Sequence, residues 1–220
     1  MMDKKRLRAV IWDMDGVLLD SEHVHFDSWR LVFKKHGLTF DDRSLTEIFG
    51  MTSGQVVRRI GAGHLPDEEI ARLIEEKDLV FQDWIKKEAR FLPGAREWLE
   101  KFSAGGLPQA LASSSSYDSI DVILGALGAR HYFKVILSGR DLPSKPDPHL
   151  FLQAAQRLGV QPEECLVIED AVVGVSAAKG AGMTCLAVAT TNHIEALRAA
   201  NLVRGSLDDV RYDEIVQLFN

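Results

Sequence analysis

The chain has 220 residues, of which 46% are hydrophobic and 26% charged, with a formal net charge of −6 and a pI near 5.7. That length fits one core domain with a smaller additional unit, and a chain of this size buries roughly 70% of the surface its unfolded form exposes, so it needs no disulfide or structural metal to fold. The acidic balance excludes a nucleic-acid binder built on a basic stripe, and no apolar run approaches the ~20 residues of a membrane span.

The first element is a short apolar run, LRAVIW at residues 7–12, which reads as a buried strand ending at the DMDG of residues 13–16. The stretch before it is basic, but the apolar run is short and is cut by Asp13, so it is not a signal peptide. From about residue 20 the pattern turns helical. Residues 23–37 (HVHFDSWRLVFKKHG) carry apolar residues at helical spacing up to Gly37, a fitting C-terminal cap. Residues 45–50 (LTEIFG) and 53–63 (SGQVVRRIGAG) predict two more helical pieces. Residues 65–89 predict a long amphipathic helix, with Pro66 in its first turn and acidic residues early in it.

At residue 91 the pattern changes again. After the Pro93-Gly94 turn and a helix, strand-like runs alternate with helices. The strands are expected at 108–114, 133–139, 165–170 and 184–190, with a shorter one at 201–206. The helices between them are expected at 117–127, 148–158 and 173–181, and a last one follows Leu207. Alternation of this length means βαβ units and a parallel sheet. The expected fold is α/β, a doubly wound Rossmann-like parallel-sheet core from residues 1–19 and 92–220. Residues 20–91 are expected to form an inserted α-helical cap on two linkers. Cys165 and Cys185 lie within strand-like runs at a spacing of no zinc or redox motif, so they read as buried reduced thiols in a cytoplasmic protein.

Ligands of open parallel sheets collect beyond the carboxyl ends of the strands, and four of these ends carry reactive residues. Asp13 and Asp15, two apart in extended backbone, point to the same side. Such a pair can hold a hard cation, or divide into a nucleophile and an acid/base; a plain turn or helix cap is the competing reading. Ser113, at the start of a four-serine run, offers a hydroxyl and nearby backbone N–H groups to a phosphate, against the simpler reading of a loop. Lys145, between prolines at 143 and 146, can neutralise both a phosphate and a carboxylate. Glu169 and Asp170 directly follow a buried strand, where two acids are costly unless solvated or bound to a cation.

In this order, DMDGVLLDSE, LASSSS, SKPDP and VIEDAVVGVSAAKGAGM resemble the four motifs of the haloacid-dehalogenase superfamily, in its branch with a helical cap after the first strand. The resemblance covers essentially the whole chain, and by pattern lies near β-phosphoglucomutase and the sugar-phosphate phosphatases grouped with it. It implies that Asp13 is a nucleophile that becomes an aspartyl phosphate and that Asp15 is the general acid/base. Ser113, Lys145 and the backbone around Met14 and Ser114 would bind the phosphoryl group. Mg2+ would be held by Asp13, the backbone carbonyl of Asp15 and Asp170, with Glu169 beside it. In the cap, Ser21, His25 and Lys77 fall at positions of substrate contacts. One departure decides between reactions: Ser53 stands where mutases carry an arginine for a second phosphate, and Arg58 and Arg59 are out of register. Water is then the expected acceptor, which makes the protein a phosphatase of a small phosphorylated metabolite, with a hexose-phosphate mutase as the alternative. A non-catalytic binding protein conflicts with the intact acid and lysine set, and a dehalogenase has no need of Glu169 and Asp170 for magnesium. A monomer is expected, with a cap that opens to admit substrate.

Overall fold

The computed structural model describes residues 6–39 and 51–219. The helix expected at 45–50 lies outside the described residues. Strand β1 (Ala9–Trp12) leads into helix α1 (Glu22–Lys35), α2 (Ser53–Val57, continued by a π-helical turn at Arg58–Ala62) and α3 (Asp67–Glu88). There follow α4 (Ala95–Ala104), β2 (Gln109–Ser113), α5 (Tyr117–Leu127), β3 (Val135–Ser138) and α6 (His149–Leu158). The chain closes with β4 (Cys165–Glu169), α7 (Val172–Gly180), β5 (Thr184–Val188), β6 (Leu202–Arg204) and α8 (Tyr212–Gln217).

The six strands form one sheet in the order β3-β2-β1-β4-β5-β6, and every neighbouring pair is parallel. The chain winds outward from β1 through β2 to β3, then returns to the other side of β1 for β4, β5 and β6. The change of direction lies beside β1, where crossover loops part and a crevice opens. Side chains two apart on a strand face the same way, and the sequence exploits this. Val10, Trp12, Leu166, Ile168, Leu186 and Val188 enter the core layer shared with α4 and α5. Their neighbours Ala9, Ile11, Cys165, Val167, Cys185 and Ala187 enter the layer under α6 and α7. Both cysteines are buried free thiols, pushed well above the ordinary thiol range by that burial.

Helices α1, α2 and α3 pack on a cluster of their own, including Trp29, Phe33, Val57 and Leu73. Val24, Phe81 and Ile85 belong instead to the sheet-side core. The two connections to this helical segment run side by side: Leu92 N–H donates to Leu18 O at 2.8 Å, and Leu19 bridges Phe91. Helix α3 crosses to α5, where Gln82 Nε2 donates to Ser119 Oγ at 3.2 Å. The helical segment therefore covers the carboxyl end of the sheet. Among the described residues no helix is long and apolar enough to cross a membrane.

Candidate active site

The segments that follow β1, β2, β3 and β4 bring Asp13, Asp15, Ser115, Lys145 and Glu169 together. At the floor, Lys145 Nζ donates to Asp13 Oδ1 and to Glu169 Oε1, each at 2.6 Å. Glu169 is fully buried, and its Oε2 accepts the backbone N–H groups of Asp170 and Ala171 at 2.9 Å. Asp13, Glu169 and Asp170 each offer an oxygen within 4.8 Å of the others. Burial, reinforced by Glu169 and Asp15, raises the Asp13 carboxyl from 3.8 to about 7 despite the opposing charge of Lys145. Burial, with Glu169 and Asp13, also raises Asp170 well above the ordinary carboxylate range. Burial alone would lower Lys145, but its two carboxylates outweigh that and hold it above its ordinary value. Three buried acids thus meet one lysine, and the excess negative charge, presented through oxygen atoms alone, fits a hard divalent cation such as magnesium.

Two glycines make room for this floor. Gly16 has φ +78°, and a Cβ there would lie 2.0 Å from Asp170 Oδ2. A Cβ on Gly174 would lie 1.8 Å from Glu169 Oε1. Because that carboxylate is tied to Lys145 and two backbone amides, it cannot swing aside without giving up those bonds. Gly174→Ala is therefore expected to lose about 1–3 kcal/mol of stability, the scale of an overpacked core, and to bind Mg2+ more weakly. Urea melts and calorimetric titration read both, and an alanine variant matching the parent in each refutes the steric assignment.

Asp15 faces the other way, toward the helical cover. Its Oδ1 accepts from Ser21 Oγ at 2.6 Å and from His25 Nε2 at 3.3 Å, and its Oδ2 accepts from Ser115 Oγ at 3.0 Å. Burial would raise this carboxyl, but the hydrogen bond from His25, with those from Ser21 and Ser115, outweighs it and holds the group below its ordinary value. Lys77 Nζ donates to His25 Nδ1 at 2.9 Å, which assigns the remaining ring proton to Nε2, facing Asp15. Burial and the Lys77 charge both push His25 below its ordinary value, so its link to Asp15 is read as a neutral N–H donor. Lys77 itself is 2% exposed and lowered by burial, and its Nζ lies over the Phe81 ring at 4.6 Å. His25 stacks on the same ring, 4.0 Å between centroids.

The cleft between floor and cover measures about 650 Å3, including the part open to solvent. Asp13, Asp15, Ser114, Ser115 and Ser116 line it from the sheet side, and His25, Trp29, Ser53, Lys77 and Asp78 line it from the helical cover. Ser113, Lys145, Glu169 and Asp170 are not among the lining residues. Ser113 is fully buried at the end of β2, its Oγ accepting from Ser115 N–H at 3.1 Å. Arg58 is exposed and paired with Asp67, and neither it nor Arg59 lines the cleft.

Several contacts have no counterpart in the sequence reading. Ser115 is one. Thr191 Oγ1 donates to Asp170 Oδ2, and Asn192 Nδ2 to Asp170 O at 3.2 Å. The strand-end rule, extended to the TTN after β5, points to that pair. Arg140 Nη1 donates to Asp78 Oδ2 at 2.6 Å, joining the loop after β3 to α3.

Residues 7–182 match the family described as haloacid dehalogenase-like hydrolase. The chain is 32% identical over 188 residues to the fructose-1-phosphate phosphatase YqaB of Escherichia coli, covering 84% of this chain and 97% of that protein. It is 33% identical over 182 residues to a phosphorylated carbohydrates phosphatase of Thermotoga maritima, covering 80% and 82%. The crystal structure of a β-phosphoglucomutase from Clostridium difficile superposes with a TM-score of 0.88 at 29% identity, over 97% of each chain.

Proposed function

Because the chain belongs to the haloacid dehalogenase-like hydrolase family, we propose that it is a magnesium-dependent phosphatase that releases phosphate from a small sugar-phosphate-like metabolite through an aspartyl phosphate on Asp13. The observation that carries this reading is the division of labour between two carboxylates two residues apart. Asp13 is bonded to the buried lysine and clustered with two acids, while Asp15 is turned toward hydroxyl and imidazole donors. The phosphatase relatives, one of fructose 1-phosphate and one of phosphorylated carbohydrates, support the substrate class.

In the first half-reaction an Asp13 oxygen attacks phosphorus as the bond to the leaving oxygen breaks. Lys145, with backbone N–H groups at Met14 and Ser114, offsets charge on the equatorial oxygens. Magnesium, when held by Asp13, Asp170, the Asp15 carbonyl and the nearby Glu169, supplies further positive charge there. Asp15 protonates the leaving oxygen. Held below its ordinary value by its hydrogen-bond donors, it stands ionised before substrate enters, and a phosphate dianion beside it favours uptake of that proton. In the second half-reaction the ionised form takes a proton from water as the water attacks the aspartyl phosphate. Residues 20–91 act as the cap, through which Ser21, His25 and Lys77 orient Asp15 and the substrate and exclude bulk water.

The structural likeness to a β-phosphoglucomutase favours a mutase as the second reading. A mutase returns the phosphoryl group to a second sugar oxygen, and Ser53, which lines the cleft, carries no charge of its own to hold a distal phosphate. Incubation with Mg2+ and a panel of sugar phosphates separates the two. Free phosphate from at least one sugar monophosphate is the expected result; isomerised hexose phosphate with no free phosphate rejects the phosphatase.

A further inference from the structure

We propose that Asp78 is a specificity residue: its carboxylate accepts a hydrogen bond from a hydroxyl on the carbon end of the substrate and turns away a second anionic group there. This inference rests on the phosphatase reading and names the class of molecule that the cleft takes, a monophosphate whose remaining groups are neutral and hydroxylated.

Asp78 lies on α3 beside Lys77, and its side chain is 11% exposed and lines the cleft from the helical cover. A carboxylate so buried is costly unless paired, and its partner comes from outside the cleft lining. Arg140, on the loop between β3 and Lys145, donates to Oδ2 at 2.6 Å. The other oxygen, Oδ1, meets Lys77 Nζ at 3.5 Å, longer than the 2.7–2.9 Å of a charge-assisted hydrogen bond. A carboxylate has about four lone-pair positions, so Oδ1 keeps acceptor capacity toward the cleft. Arg140, on the loop after β3, thus fixes the acceptor on α3 in place.

The charges around it set the preference. Among the described residues lining the cleft, the carboxylates are Asp13, Asp15 and Asp78, and the one lysine is Lys77. Lys77 is directed at His25 and Asp78 and buried over the Phe81 ring. Arg140 is held by Asp78 itself. A second phosphate or a carboxylate placed beside Asp78 therefore meets an anion whose cations are engaged, while a hydroxyl meets an acceptor. Sites that hydrogen-bond a substrate hydroxyl reject analogues that leave the buried polar group unpaired, and a hydrogen bond to a charged group corresponds to roughly 10- to 100-fold in binding.

The test measures kcat and KM for phosphate release, with Mg2+, from a hexose monophosphate, its single-deoxy analogues and the corresponding bisphosphate. The unaltered protein is expected to favour the monophosphate over the bisphosphate by about 10- to 100-fold and to lose about 10-fold or more, mainly in KM, on at least one deoxy analogue. Asp78→Asn keeps the shape and removes the charge; it is expected to shrink the monophosphate preference at least 10-fold. A preference unchanged within 2-fold in a variant that melts cooperatively overturns the proposal. So does a parent protein that uses the bisphosphate as well as the monophosphate, or all deoxy analogues as well as the full sugar, and neither of these depends on how the variant folds. Phosphate release from none of the panel defeats the phosphatase reading itself.

Discussion

Replacing Asp13 by asparagine is expected to cut phosphate release by roughly ten-thousand- to million-fold, the scale on which removal of a nucleophile acts in other covalent mechanisms. The amide has the same shape but cannot attack phosphorus. None of its neighbours can take over, because Asp15 is held by Ser21, His25 and Ser115 and Glu169 is held by Lys145 and two backbone amides. Residual activity above 1% of the parent in a steady-state assay removes Asp13 from the role of nucleophile. The same substitution has a stability signature in metal-free buffer. Asp13 titrates at about 7 in the folded chain and near 3.8 when unfolded, so between those values the folded state holds the extra proton. Stability attributable to this group is thus present at low pH and falls as pH rises from about 4 to 7. Asparagine removes that slope. Thermal melts with a chelator are expected to show the variant gaining on the parent between pH 5 and pH 8; a difference that stays flat over that range contradicts the placement of Asp13 in an acid-rich pocket.

Much of this site is legible in the sequence because strand ends in a parallel sheet are few and their contents distinctive. The stretches 165–168 and 185–189 are apolar throughout, so β4 and β5 announce themselves as doubly covered strands. Ser116 before an apolar periodic stretch announces helix α5, and its Oγ does accept from Ser119 N–H. What stays hidden is pairing between distant side chains. Ser113, Ser114, Ser115 and Ser116 are chemically identical, and only the turn after β2 decides that Ser115 reaches Asp15, 100 residues away in sequence. Asp78 and Arg140 are 62 residues apart, one within a helix pattern full of surface acids and the other in an irregular loop, and neither has a local signal for its partner. The π-helical turn at Arg58–Ala62 is equally silent, since a continuous helix and a helix with one widened turn share the same apolar period over so few residues.

Lys145→Met is expected to destabilise the protein by about 3–5 kcal/mol in metal-free buffer. The cost follows from what is left behind. Methionine fills the space over the Phe151 ring, which Lys145 Nζ approaches at 4.9 Å, so little packing is lost. Asp13 and Glu169, however, lose the one cation among the described residues within hydrogen-bonding reach of both, and removing one partner of a buried ion pair costs about that much because the other charge stays buried. Glu169 is the more exposed to this loss in energetic terms because it is fully buried, with only backbone amides as remaining donors. Two consequences separate this account from a simple cavity effect. Adding Mg2+ is expected to recover more stability in the methionine variant than in the parent, since the cation takes over part of the missing charge. Adding Glu169→Gln to Lys145→Met is expected to restore at least about 1 kcal/mol, because neighbouring groups in one network do not add independently. Urea titrations of the parent, both single variants and the pair, each with and without Mg2+, measure all of this. A methionine variant within about 1 kcal/mol of the parent, or a double variant no better than the sum of its singles, means that the floor of the cleft is not held together by this charge triad, and the role of Lys145 in neutralising the nucleophile falls with it.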